Sequence, residues 1–275
     1  MARTITLAGQ DILRLGLGTY NFGIQARKAD SEIALLHRAL DLGVALIDTA
    51  TMYDNEAFLG QALRDMRQRV FLVSKVLPSQ ASFNGVIRAC ERSLRDLKTD
   101  HLDLYMLHWA SSYPLEQTVA ALKALKAQGK ILSYGLSNID VPEIKALGTE
   151  VSDLTALEVL YNPSARGIEY DMLPFAHERQ IAVIAYSPLG SGSASLLHHP
   201  TIERIARRHQ VSTAQILIAF SLRDDSLISI PKASSLPHLA DNIKALDVVL
   251  DDEDKQLLDS AFPPATHKVP LKLGW

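Results

Sequence analysis

Asp48, Lys75 and His108 each stand where an apolar run of the sequence stops. The runs 44–48 (VALID), 70–75 (VFLVSK) and 102–108 (LDLYMLH) are rich in the aliphatic and aromatic residues of buried strands. Pro78, just past Lys75, prevents further pairing there. Three strands thus bring a carboxylate, an ammonium and an imidazole to one rim. Asp48 and Lys75 suit a buried ion pair, and Tyr53, in the loop after Asp48, reaches back beside them. A cation next to a phenol lowers its pKa from about 10 toward working pH, so Tyr53 is a candidate general acid. A neutral His108 would orient a substrate oxygen or share the proton transfer. The competing reading is that Asp48 and Lys75 merely satisfy each other in a core; three ionisable strand ends in succession, with a phenol nearby, weigh against it.

The elements that must carry these residues alternate. Segments 4–7 and 12–15 predict a hairpin turned by Ala8, Gly9, Gln10 and Asp11. Strands are predicted at 15–19, 44–48, 70–75, 102–108, 131–137, 154–161, 181–187 and 227–230. Helical patterns lie between them, at 30–42, 56–66, 86–97, 115–128, 141–147, 173–179, 200–209, 213–222 and 236–245. Strand ends recur every 20 to 35 residues or so, about one βα unit. Eight such units without a Pro-, Gly- or Ser-rich linker predict one α/β domain over 1–275, a (β/α)8 TIM barrel rather than an open sheet. An N-terminal β-hairpin precedes it, and added C-terminal helices, ending with one at 251–261, precede a fourteen-residue tail. In such a barrel the active site lies at the C-terminal ends of the strands. Beyond the first three, those ends carry Ser137, Glu158 and Tyr186.

Of the 275 residues 47% are hydrophobic and 21% charged, the composition of a globular chain with a large core. A net charge of -3 leaves no general basic surface for nucleic acid or an anionic membrane, so a small molecule is the expected partner. The lone Cys90 excludes an internal disulfide framework and reads as a buried small hydrophobe. The N-terminus lacks an apolar signal core and no run is long enough to span a bilayer; a cytoplasmic monomer is expected. His198 and His199, adjacent before Pro200, lack a carboxylate or Cys at ligand spacing, so no metal site is predicted and a helix N-terminus accounts for them.

The stretch 48–60 (DTATMYDNEAFLG) resembles the aldo-keto reductase signature DTAxxYxNExxxG, followed by that family's strand-end lysine at Lys75 and histidine at His108. Agreement extends through LGLGTY (15–20), GKILSYGLSN (129–138), AYSPLG (185–190) and IPKASS (230–235), nearly the whole chain in order. MLHW (106–109) and RGIEYDMLPF (166–175) suggest the bacterial small-aldehyde branch acting on methylglyoxal and related 2-oxoaldehydes. The resemblance implies reduction of a carbonyl by NADPH, with NADH possible, Tyr53 as general acid assisted by Lys75, Asp48 and His108, and no metal. It implies a nicotinamide stacked on Tyr186, its carboxamide held by Ser137, Asn138 and Glu158, with Thr19, Tyr20 and Asp48 nearby. Ser187, Pro188, Leu189 and Gly190 would follow the pyrophosphate, while Ile230, Lys232, Ala233, Ser234, His238 and Asn242 would face the adenosine end. Tyr20, Tyr53, His108 and Trp109, with Phe22, would wall the substrate pocket.

Several positions depart from that pattern. Glu158 stands where most members carry glutamine, and an ionised carboxylate accepts but cannot donate, so altered cofactor grip or a raised pKa is expected. His238 replaces a common arginine and Ala233 a common serine, which softens the predicted preference for NADPH over NADH. Gly190, Gly192 and nearby serines make a short, mobile cover after Tyr186. Asp54 and Asn55 read as the N-cap of the next helix. Residues 269–275 either fold over the barrel mouth or are disordered. Lys75→Met is expected to keep the fold and lose the chemistry. Two rivals remain: a redox-sensing regulatory subunit that binds NADPH, and a metal-dependent barrel isomerase or hydrolase.

Overall fold

A computed structural model describes residues 2–191 and 194–274. It opens on an antiparallel hairpin, β1 (Thr4–Leu7) and β2 (Gln10–Leu13). Ala8 and Gly9 alone form the turn, both at positive φ (49° and 79°), the two-residue geometry whose twist matches the flanking strands. Gln10 and Asp11 therefore belong to the second strand, which starts two residues earlier than predicted.

Eight parallel strands follow: β3 (Leu17–Gly18), β4 (Leu46–Asp48), β5 (Phe71–Val76), β6 (Leu102–Leu107), β7 (Ile131–Ser137), β8 (Ala156–Leu160), β9 (Ala182–Tyr186) and β10 (Leu227–Ser229). Each pairs with its sequence neighbour, in order from β3 to β10. The sheet is closed by the segment leading into β3: Leu15 bridges Ser229 in parallel, and the Gly16 amide donates to the Ser229 carbonyl at 2.8 Å. Closure of a parallel sheet after eight strands is the predicted (β/α)8 barrel. A Cβ on Gly16 would come within 2.6 Å of the Leu46 side chain, 2.9 Å of the Ile230 side chain and 3.0 Å of the Leu46 carbonyl oxygen, so a larger residue at the seam displaces barrel-interior side chains.

Helices cover the outside: α1 (Ala29–Asp41), α2 (Glu56–Ala62), α3 (Phe83–Asp96), α4 (Leu115–Ala127), α5 (Val141–Ala146), α6 (Ile168–Arg179), α7 (Ala194–Leu197), α8 (Pro200–His209), α9 (Thr213–Ser221), α10 (Leu236–Lys244) and α11 (Asp252–Ala261). Their starts follow local chemistry. Ser82, Asp140, Ser212, Ser235 and Asp251 cap five of them through side-chain acceptors, and Ser212 with Gln215 and Asp251 with Asp254 form reciprocal capping boxes. His199 caps α8 through its ring, accepting from the Thr201 amide, which is the helix-terminus role expected for that pair. The largest boundary error is at α6. A start at 173 puts Pro174 in the first turn, where its missing N–H costs nothing; the helix instead begins at Ile168 and carries Pro174 internally.

Alternation along each strand separates two cores. Leu72, Tyr105, Leu107, Leu136 and Leu157 face outward into the layer beneath the helices. Leu46, Phe71, Val73, Leu104, Met106, Ala156, Ile184, Ile228 and Ile230 form a separate cluster inside the barrel, joined from below by Leu7 and Ile12 of the hairpin. The hairpin is therefore a plug for the bottom, and the mouth at the strand C-termini stays available. No helix among the described residues is long and apolar enough to cross a membrane.

Candidate active site

The same alternation decides which side chains reach the mouth. The inward series Leu46, then Asp48; Phe71, Val73, then Lys75; Leu104, Met106, then His108; Ala156, then Glu158; and Ala182, Ile184, then Tyr186 change from apolar to polar at their last member. Asp48, Lys75, His108 and Glu158 are all buried, with Lys75 fully so.

Lys75 holds the group together. Its ammonium lies 2.5 Å from Asp48 Oδ1, 2.9 Å from the Thr49 carbonyl and 3.2 Å from Glu158 Oε1, three acceptors for the three hydrogens of an ammonium. Burial works against that charge, but Asp48 and Glu158 outweigh it and hold Lys75 protonated. Tyr53 ends a short 3-10 turn, Thr51–Tyr53, fastened by Thr51 Oγ1 donating to the Lys75 carbonyl at 3.0 Å. Lys75 Nζ stands 5.7 Å from the Tyr53 ring centroid, and that ring packs edge-on against Tyr20 (5.2 Å) and His108 (5.9 Å).

The expected lowering of the Tyr53 pKa is not met. Burial, the largest influence, raises it above the ordinary phenol value; Lys75 pulls it down but does not prevail, and the charge of Asp48 adds to the rise. Tyr53 is therefore a phenol at neutral pH, the protonation state a proton donor requires. Burial, then the Lys75 charge, pushes His108 down to about 3. It is a neutral imidazole, as expected for a hydrogen-bonding partner rather than a cation.

Thr19, Ser137, Asn138 and Tyr186 ring this centre. Thr19 Oγ1 donates to the Asp48 carbonyl at 2.8 Å. Asn138, in the left-handed region at φ 53°, donates to the His108 carbonyl (3.1 Å) and to Ser137 Oγ (3.0 Å), and accepts from the Tyr186 hydroxyl at 3.0 Å. Tyr20 is exposed, and Trp109 lies against His108 with ring centroids 4.7 Å apart. After Tyr186 the chain turns at Ser187 (φ 50°) and Gly190 (φ 64°), with the Gly190 amide donating to the Ser187 carbonyl at 3.0 Å. Pro188 is buried and Leu189 half-buried. Gly192 and Ser193 of the predicted cover lie outside the described residues.

The adenosine-end candidates gather at the junction of β10 and α10 rather than around Lys75. Ile230 belongs to the barrel interior, Ala233 and Asn242 are buried, and His238 Nδ1 sits 2.9 Å from Ser234 Oγ. Lys232 lies 5.5 Å above the Phe22 ring and borders a cleft of about 320 Å³ that Lys28, Ser31 and Ser234 also line. Phe22 is buried beneath Lys232, so it is a floor for this cleft and not the open substrate wall predicted.

Two features escaped the sequence. Asn55 occupies the N-cap position of α2 without capping it; its side chain is buried, accepts from Thr49 Oγ1 at 2.6 Å and donates to the Thr19 carbonyl at 2.8 Å. It ties the loop carrying Tyr53 to the first strand, a contact set by the loop's path. The tail is the second. Lys268 bonds Asp140 and lies 2.8 Å from Asp171, Lys272 Nζ donates to the Ser164 carbonyl at 3.3 Å, and the Gly274 amide donates to the Tyr186 hydroxyl at 3.2 Å. Of the two courses predicted for residues 269–275, folding over the mouth is the one seen through Gly274; Trp275 lies outside the described residues.

Residues 14–262 match the aldo/keto reductase family. The chain belongs to that family. It is 40% identical over 267 residues to the methylglyoxal reductase YeaE of Escherichia coli K12, covering 94% of both chains. It is 30% identical to the methylglyoxal reductase DkgB of Salmonella typhimurium, covering 88% of this chain and 90% of that one. Among solved structures, an aldo-keto reductase from Klebsiella pneumoniae in complex with NADPH superimposes with a TM-score of 0.94 at 39% identity, over 99% of both chains. A thermostable aldo-keto reductase, Tm1743, solved with the inhibitor epalrestat, gives 0.85 at 33% identity over 94% of this chain and 99% of that one. Family membership and barrel agree, and the signature read at 48–60 lies where the geometry converges.

Proposed function

We propose that this chain reduces small aldehydes or 2-oxoaldehydes, methylglyoxal among them, to alcohols at the expense of NADPH. The observation that carries the reading is the convergence of Asp48, Tyr53, Lys75 and His108 from three strand ends and one loop onto a single buried centre. The named relatives act on methylglyoxal and one solved neighbour holds NADPH, which supports the substrate class and the cofactor.

The residues present fit such a cofactor. Lys28 and Lys232 bring two cations to one cleft with two serine hydroxyls, and the one carboxylate on its lining, Glu32, is engaged by the Gly23 amide; this is chemistry that recognises a phosphate monoester. Ser137, Asn138 and Tyr186 form a hydrogen-bonded set at the mouth, where an amide and an aromatic ring would be held. NADPH, when bound there, supplies the hydride to the carbonyl carbon. Tyr53 delivers its phenolic proton to the carbonyl oxygen as negative charge develops on it. His108, neutral, donates to that same oxygen and fixes its direction. Lys75 stays charged and lowers the energy of the tyrosinate left behind, while Asp48 keeps Lys75 in place. Tyr20 and Trp109 border the space where the aldehyde's remainder sits, in keeping with a small substrate.

His238 offers an imidazole where a fixed guanidinium would grip a 2′-phosphate more firmly, so we expect measurable turnover with NADH as well. We keep the reading of a single 275-residue domain acting as a cytoplasmic monomer, in line with a chain that has one cysteine, Cys90, and that one buried. Steady-state oxidation of NADPH and of NADH with a panel of aldehydes and 2-oxoaldehydes tests the assignment. Turnover well above background with methylglyoxal, faster with NADPH, is expected. A protein that binds NADPH but turns over none of the panel would instead be a sensor or regulatory subunit.

A further inference from the structure

Behind Tyr53, one cation faces two carboxyl groups. Lys75 is bonded on one side by Asp48 and approached on the other by Glu158, and none of the three side chains is more than 3% exposed. With both carboxyls ionised this pocket would hold an uncompensated negative charge away from water, a costly arrangement. Only one oxygen of Glu158 reaches Lys75. The other, Oε2, is buried and has no hydrogen-bond partner among the described residues, so Lys75 is the one cation that both carboxyl groups face at this site. One proton on the pair removes the excess charge and leaves Lys75 balanced by a single carboxylate.

We propose that Glu158 and Asp48 share one proton at neutral pH, so that Glu158 works as a neutral carboxylic acid, a positioning residue that keeps the charge behind Tyr53 balanced. Burial, followed by the charge of Asp48, pushes Glu158 up to about 8; burial also raises Asp48, opposed by Lys75. The groups facing Glu158 are consistent with this assignment. Lys75 comes from β5, Asp48 from β4, Tyr53 from the loop after β4 and Tyr186 from β9, while β7 offers only the unionisable Ser137 in register. Lys75 is the only cation among them, and it is already bonded to Asp48. Neutral Glu158 also restores the donor that a glutamine would provide, since a protonated carboxyl both donates and accepts.

Loss of the proton would leave a second negative charge beside two phenols. Glu158 raises the pKa of both Tyr53 and Tyr186 when ionised, so Tyr53 becomes a poorer acid as pH rises through the titration of Glu158. The shared proton can be tested without turnover; its effect on Tyr53 rests on the reductase reading above. The first measurement is infrared difference spectroscopy of the cofactor-free protein across a pH titration. A carboxylic acid C=O band should be present at neutral pH, disappear as pH rises past about 8, and be absent from Glu158→Gln. Glu56, a second buried carboxyl with a raised pKa held by Ser74 and Ser93, is assigned separately with Glu56→Gln. Asp48→Asn removes the partner charge and should shift the Glu158 band to lower pH, which also keeps the test open if Glu158→Gln does not fold. The second measurement is kcat/KM against pH, each variant normalised to its own plateau. The wild type should fall about tenfold per pH unit on the alkaline side, and Glu158→Gln should lose that limb. A band unchanged in Glu158→Gln, or an alkaline limb that survives in it, would overturn the proposal. A protein with the band but no reductase activity would refute the functional reading and leave the proton assignment standing.

Discussion

Lys75 is a structural counter-ion to Asp48 and Glu158, and on the proposed mechanism it is the catalytic charge as well, so the two roles are not separable by mutation. The sequence alone suggested that Lys75→Met would spare the fold. With Asp48 and Glu158 both buried against the ammonium, removing it leaves two carboxyls without a cation, a change that costs about 3–5 kcal/mol when a buried pair is broken. Lys75→Met should therefore lose several degrees in Tm as well as activity, and the loss should be larger at pH 9 than at pH 6, because the orphaned carboxyls can take up protons in acid. Thermal melts at the two pH values check this; equal losses would mean that Lys75 does not balance a carboxyl whose ionisation depends on pH. The sign follows from Glu158. Its folded value of about 8 lies above the ordinary 4.5, so the native protein binds the extra proton, and this group's contribution to stability is present below about 4.5 and is lost as pH rises to about 8. At this scale the tetrad was legible, since each member ends a strand or follows one at a motif spacing. Glu158 was legible as an exception. The sign of the Tyr53 shift was not, because sequence displays the cation beside the phenol but not the burial that outweighs it.

Strands were read well and loops poorly, for a physical reason. The strands were visible as apolar runs ending on a polar residue, whereas their parity was not, because Leu72 on the outer face and Val73 on the inner one are both apolar, as in any strand buried on both sides. The course of residues 263–274 has no periodicity to betray it. It is fixed by point contacts, above all Lys268 between Asp140 at the start of α5 and Asp171 in α6. Those two ion pairs fasten the tail that ends on the Tyr186 hydroxyl. Lys268→Ala should raise KM for the aldehyde several-fold with less than a twofold change in kcat, since the described hydrogen bonds and ion pairs of the tail are to Asp140, Asp171, Ser164 and Tyr186 at the border of the mouth. Steady-state kinetics of the variant check this. An unchanged KM would show that the tail does not shape substrate access.

Closure makes one site from residues scattered between positions 19 and 274. The seam is a glycine contact: Gly16 lies so close to Leu46 and Ile230 that no larger residue fits without displacing barrel-interior side chains. Gly16→Val should cost at least the 1–3 kcal/mol or so of an overpacked core, seen as a lowered Tm in thermal unfolding, with both cofactor affinity and turnover reduced because β3 carries Thr19 and Tyr20 to the mouth. An unchanged Tm would show that Leu46 and Ile230 can repack around a side chain at the seam. The eight-unit architecture was legible from repeated strand-helix lengths, whereas the seam was not, because parallel pairing between the first and last strands joins residues more than 200 positions apart. On the proposed mechanism Tyr53 gives its proton to the substrate oxygen at this assembled mouth. The most direct test is single-turnover oxidation of bound NADPH by methylglyoxal in Tyr53→Phe, together with the NADPH dissociation constant. The rate should fall by about 10²–10⁴-fold with the dissociation constant within twofold of wild type. A rate near that of the wild type would contradict it.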